Sequence, residues 1–388
     1  MAPLRSLGNI NSIFDDFYAR TGKDAVGPPP PPVANVEASG GTKINYNNVN
    51  YHVFKSSGTF TAPSDFNTNI NYIILGGGGG ASYSSPSGNG GPGGGGAGAL
   101  IDKSSVSLSG PFSLTVTIGA AGAKASSVNT LGGDGGDSSI NFPGGTLTAE
   151  GGGAGGRSEV AQASGGPYAS EGPGRNGGSG GGAGLYYPKT GGTATGSPFP
   201  GTPGNSPDTG WGHAGGRGGD PGNPQNPFYY AGGGGGAGGV GEAGGDGSHA
   251  SGGTGGNGYL LPSNFQIPAP AMAPAPYGDP GPSGGAYWVA GGGASGMYYH
   301  PPDTPTTATQ AAARGGGASH GPGAAGFAGA GNGVVSSTSG VHYDSHVDAL
   351  ANSGSGGGGG GGSGGSGGPG DGGSGGSGLV LISYPYPS

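Results

Sequence analysis

The sequence predicts a mainly β protein, a small β-sandwich carrying a long glycine-rich insertion of polyglycine II helices. Three observations predict it. Residues 76–378 are largely glycine, yet Asn71-Tyr72-Ile73-Ile74-Leu75 precedes them and Leu379-Val380-Leu381-Ile382-Ser383-Tyr384 follows. A flexible linker needs no aliphatic strand at each end. The 107 glycines and 35 prolines are more than a third of the 388 residues, a composition that normally buries too little apolar surface to offset chain entropy. Two tryptophans, 18 tyrosines and 11 phenylalanines argue the other way, because a disordered linker rarely carries so many rings.

The elements follow in chain order. Residues 1–32 read as an anchor and a strut. Ile10, Ile13, Phe14, Phe17 and Tyr18 recur at helical spacing on one face. So short a helix is marginal alone and must dock, on its own domain or on a partner. The run of prolines from Pro28 to Pro32 favours an extended polyproline II spacer. Residues 33–118 hold most of the sandwich strands. Lys43-Ile44-Asn45-Tyr46 and Tyr51-His52-Val53-Phe54 flank Asn47-Asn48, a tight-turn pair. Strands at 58–63, 70–75, 99–101 and 112–118 follow, and residues 379–388 close the sheet. The return across some 260 residues costs little, because loop-closure entropy grows only logarithmically.

Residues 119–378 are the glycine-rich region. Five glycines in a row at 76–80 and the Phe142-Pro143-Gly144 interruption rule out the strict triplet of collagen. The ordered alternative is a bundle of three-residue-per-turn polyglycine helices, whose amides pair with carbonyls of their neighbours. Stretches at 151–156, 177–184, 232–241, 252–258 and 356–368 are candidate helices, and residues 197–227, 259–277 and 300–314 are expected as proline-rich surface loops.

Charge and cysteine content narrow the function. Twelve basic and 20 acidic residues give a net charge of −8 with no basic run, so nucleic acid is not an expected partner. With no cysteine, disulfides and thiolate metal sites are excluded. No apolar run approaches the roughly 20 residues of a membrane helix, and membrane insertion is not expected. Asp15 and Asp16 stand where a signal peptide would need its apolar core.

The order of landmarks resembles a known family. Gly58-Thr59-Phe60-Thr61-Ala62-Pro63, the run from Tyr72 to Gly80, the run from Gly93 to Ala99, the Gly132-Gly133-Asp134-Gly135-Gly136-Asp137 segment and the closing Leu379-Val380-Leu381-Ile382 resemble the glycine-rich domain of bacteriophage tail-fibre and virion proteins, across about residues 42–384. The resemblance implies a virion structural protein that performs no chemistry and needs no cofactor. It would be a fibre or tail-associated adhesin that contributes to host attachment and sits in the virion. Its partners would be other virion proteins, bound through the N-terminal segment, and a host surface glycan or protein. A homo-oligomer fits, although no coiled coil marks one. The alternatives are a capsid decoration or head fibre without receptor binding, and a self-associating surface or matrix protein.

Two constellations invite a site. Tyr186, Tyr187, Trp211, Phe228, Tyr229, Tyr230, Tyr287, Trp288, Tyr298 and Tyr299 form short aromatic clusters in the glycine block. As exposed rings they would suit receptor binding; as buried rings they would cover the glycine bundle. His342, Asp344, His346 and Asp348 alternate, so a strand would put all four on one face, where they could ligate a divalent metal such as zinc. The competing reading is a solvated polar loop. Glycine-rich nucleotide motifs carry no information in so much glycine. The phosphate-loop pattern is absent because Asp24 follows Gly22-Lys23.

Overall fold

A computed structural model describes residues 37–83, 91–127, 130–157, 172–185, 190–201, 203–219, 230–245, 252–281, 285–298, 315, 328–333, 335–336, 348–361 and 371–386. The predicted fold class holds: the protein is mainly β, built on two antiparallel sheets. Strands β1 (Thr42–Tyr46) and β2 (Val49–Phe54) form the predicted hairpin, and Asn47 and Asn48 turn it with φ of 47° and 59°, the left-handed pair that a two-residue hairpin requires. Strand β3 (Gly58–Ala62) leaves for the second sheet, while β4 (Asn67–Leu75) and β5 (Leu100–Ser109) pair in the first. Strand β6 (Phe112–Thr117) alternates buried and exposed residues along its whole length, so one face meets the core.

Two further strands, β7 (Ser138–Phe142) and β8 (Gly145–Ala149), complete the second sheet in the order β3-β6-β7-β8. The sandwich therefore runs past residue 118, into a stretch the sequence assigns to the glycine region. Five-residue strands between glycine runs leave too short an alternation to read. The remaining long strand, β13 (Leu379–Pro385), inserts between β2 and β4 to give the order β1-β2-β13-β4-β5. It is buried on both faces, which explains its unbroken apolar run. Among the described residues two short pairs follow: β9 (Tyr259–Leu260) with β10 (Trp288–Val289), and β11 (Met297–Tyr298) with β12 (Val335–Ser336).

Each face of the five-stranded sheet has its own core. Between the sheets lie Phe54, Phe60, Phe66, Ile70, Ile74, Ile101, Leu114, Val116, Ile140, Val380 and Ile382. The other face presents Ile44, Tyr51, Val53, Ile73, Leu75, Leu100 and Leu381 to a cover built from Trp211, Tyr259, Phe265, Ile267, Met272, Tyr277, Tyr287 and Val289. Residues 259–277, expected as a surface loop, are thus a lid with a buried apolar inner side and an exposed outer one, and include a 3-10 turn at Ser263–Phe265 and the one-turn helix α1 (Ala269–Met272). Proline and alanine content suggested a loop. The apolar side chains among them decide otherwise, because an aliphatic sheet face has to be shielded from water.

The strands run directly into the glycine segments. The registers bring Phe54, Leu75, Leu100 and Leu379 to one pole of the sandwich, and the Leu75–Leu100 pairing continues as Gly76 N–H to Ala99 C=O at 3.0 Å. From there the hydrogen bonds repeat every third residue. Gly76 and Gly79 donate to Ala99 and Gly96, Gly77 and Gly80 to Gly136 and Gly133, Gly78 and Ala81 to Gly376 and Gly373. The 93–99 segment is enclosed. Gly93, Gly96 and Ala99 donate to Gly156, Gly153 and Glu150; Gly94 and Ala97 donate to Gly232 and Gly235; Gly95 and Gly98 donate to Gly357 and Gly354. Three more segments donate to it, through Gly79, Gly182 and Gly293. Six neighbours at this spacing leave no room for a side chain at the glycines: a Cβ on Gly94 would overlap the Gly293 carbonyl, and one on Gly95 the Gly79 carbonyl.

Candidate functional site

Among the described residues, three places bring polar or aromatic groups together: the bundle surface, the buried polar contacts of the sandwich, and the β1–β2 hairpin tip.

At the bundle surface the threefold repeat becomes a sequence pattern. Along residues 119–125 only Gly119, Gly122 and Ala125 are buried, while Ala120, Ala121, Ala123 and Lys124 face solvent. The neighbouring segment reads Gly-Gly-Asp-Gly-Gly-Asp at 132–137, and its outward line is Asp134 and Asp137. Those carboxylates have a structural task. Asp137 Oδ1 accepts from Gly151 N and Asp134 Oδ1 from Ala154 N, both at 2.9 Å. The other amides of that segment, at Gly152, Gly153, Gly155 and Gly156, go to neighbouring glycine segments. Aspartates spaced by three therefore satisfy the one line of amides that meets no neighbour. Arg175 also pairs with Asp134 at 3.0 Å.

Two buried contacts in the sandwich involve shifted titratable groups. His52, fully buried, stacks on Tyr384 with ring centroids 5.6 Å apart. Its Nδ1 lies 2.6 Å from the Gly40 carbonyl and its Nε2 3.2 Å from the Tyr384 hydroxyl. A carbonyl only accepts, so Nδ1 carries the proton and Nε2 accepts from Tyr384. Tyr384 Oη in turn accepts from Ala38 N at 2.9 Å. Burial holds the imidazole below its ordinary value, against the Gly40 bond, with Lys43 lowering and Glu37 raising it slightly. Asp102 on β5 accepts the Tyr259 hydroxyl at 2.6 Å and Gly204 N at 3.1 Å. Burial raises its carboxyl, and both hydrogen bonds oppose the rise. Phe199 packs edge-on against both Tyr259 and Trp211, with centroids 5.0 and 5.9 Å apart. Both are packing contacts of buried side chains. They tie the loop around residues 199–211, the lid and the chain entry at 37–40 to the five-stranded sheet. Sequence reasoning did not single out His52 or Asp102 as site residues; the available signal was a lone acid behind Leu100-Ile101 and a histidine within an apolar strand.

The aromatic candidates separate. Trp211, Tyr230 and Tyr287 are buried, Trp211 and Tyr287 within the core under the lid; Trp288 is half-buried; Tyr298 lies in β11. Tyr186, Tyr187, Phe228, Tyr229 and Tyr299 lie outside the described residues, as do the anchor residues Ile10, Ile13, Phe14, Phe17 and Tyr18. His342, Asp344 and His346 also fall outside them, while Asp348 is exposed and accepts from Ser374 N at 2.7 Å. Among the described residues no three His, Asp or Glu side chains gather as a metal would need.

At the hairpin tip, Asn45, Tyr46, Asn47, Asn48, Val49 and Tyr386 surround an open hollow of about 300 Å³. Tyr386 N donates to the Asn48 carbonyl at 2.7 Å and seats the end of β13 against the turn. None of the six side chains is charged.

No curated protein matches the chain. The model of the glycine-rich domain does match, over residues 55–297, a span that includes β3 to β10, the lid and the bundle segments up to residue 296 but not those around 354–357 and 373–376, and on that match the chain belongs to the glycine-rich domain family.

Proposed function

We propose that this protein is a non-enzymatic structural component of a bacteriophage particle, a fibre or tail-associated adhesin, in which polyglycine II helices form a stiff bundle presenting loops to the host surface. The observation that carries the reading is the enclosure of residues 93–99 by six hydrogen-bonded segments. Such a bundle holds its shape through backbone pairing, at about 0.5–1.5 kcal/mol net per bond, without a large apolar interior. That suits a part that must stay rigid outside a cell. The segments that carry Tyr186, Tyr187, Phe228 and Tyr229 are the proposed host contacts. The outward lines of Ala120, Lys124, Asp134 and Asp137 disfavour a self-associating polymer, because side chains there obstruct the approach of another glycine segment.

The test is cryo-electron microscopy of particles released by the organism that carries this gene, with mass spectrometry of the purified particles. Density for this chain on the tail or baseplate supports the adhesin. Density on the capsid lattice removes host recognition and leaves a decoration protein. Particles without the chain refute the virion assignment.

A further inference from the structure

The hollow at the hairpin tip lies at the pole opposite the glycine bundle, where the described chain begins. Glu37 pairs with Lys43 on β1, and Ala38 N is held by Tyr384, two residues before Tyr386. Tyr46 stands three residues beyond Lys43, or about 10 Å along the strand. The Pro28 to Pro32 run ends five residues before Glu37, within about 17 Å of extended chain. Its reach therefore covers the hollow.

The chemistry also matches. A proline run has no N–H to offer, so it presents only carbonyl acceptors and flat ring faces. The hollow supplies what such a run needs. The carboxamides of Asn45, Asn47 and Asn48 are exposed and can donate, and Tyr46 and Tyr386 are half-buried phenols with a ring face and a hydroxyl. Tyrosine-lined grooves with a few donors are a recurring way to hold polyproline II. Neither side carries charge, so pairing strands no ion.

We propose that residues 28–32 of the same chain dock in this hollow. The strut is then seated on the sandwich, and residues 1–27 depart from the pole opposite the bundle in a fixed direction. A neutral oligosaccharide is the competing occupant.

Because the chain has no cysteine, an introduced pair can form one intramolecular disulfide only. In the full-length protein, Pro30→Cys with Asn45→Cys is compared with Pro30→Cys and Ser113→Cys, where Ser113 is exposed on the second sheet. Docking predicts a monomeric disulfide at least about tenfold faster for the Asn45 pair, the advantage of a raised effective concentration. Independently, replacing Pro28 to Pro32 by serine should shift the NMR signals of the Asn45, Asn47 and Asn48 carboxamides. Equal disulfide rates overturn the proposal. So does a disulfide formed between chains, which would assign the hollow to a second copy. So do carboxamide signals that ignore the proline replacement but move when maltotriose is added, which would make it a sugar site.

Discussion

His52 shows how one side chain couples the sheet to the chain entry. Its folded value lies below the ordinary 6.5, so on acidification the unfolded chain takes up a proton before the native state does. Stability contributed by neutral His52 is whole above about pH 6.5 and falls as the pH drops toward the folded value, with a limiting slope of about 1.4 kcal/mol per pH unit. Urea midpoints between pH 7.5 and 5 should show this loss, and His52→Gln should remove that part of it; identical slopes in the two proteins would contradict the assignment. Tyr259 offers a second probe. Its hydroxyl is the side-chain donor to Asp102, so Tyr259→Phe should lower stability by about 1.5–3 kcal/mol, the range for a hydrogen bond to a charged group. Trp211 is buried against Phe199. Trp211→Ala should cost about 3–5 kcal/mol, measurable as an early thermal transition, whereas a receptor-contacting ring would leave melting unchanged.

A glycine segment is specified by how many of its three lines meet a neighbour. Residues 93–99 are enclosed on every side and carry only glycine and alanine; residues 119–125 bury one line and keep alanine and lysine on the others. Gly95→Ala should therefore destabilise by at least about 1–3 kcal/mol, the cost of forcing atoms into a filled space. Ala120→Gly, on an outward line, should cost less than about 1 kcal/mol. Equal effects at the two sites would deny the difference between enclosed and surface segments. The sequence reveals part of this logic. The Asn47-Asn48 hairpin, the alternation of β6 and the aliphatic runs of β4 and β13 are legible, because period and turn chemistry act locally. The β7–β8 hairpin and the lid at 259–277 are not, since their burial depends on a sheet face assembled from distant strands. Asp134 and Asp137 read as punctuation in a glycine run. Their role emerges only when the amides of Gly151 and Ala154 lie beside them.

At the scale of the molecule, the sandwich organises the bundle. The chain leaves the sheets at Leu75 and re-enters at Leu100, and it leaves for the last time at Ala149 before returning at Leu379. Those crossings fix where and in which direction several segments start. Isolated polyglycine gains too little from pairing to offset its entropy, and a strand already held in a sheet removes part of that cost. The account thus rests on the glycine amides being paired, not solvated. Hydrogen exchange read by mass spectrometry on peptides covering residues 92–99 tests this most directly. Protection comparable to that of β4 and β13 is the predicted result. Exchange at the rate of an unstructured chain, with those strands still protected, would contradict the bundle and leave a sandwich with a loose glycine insertion.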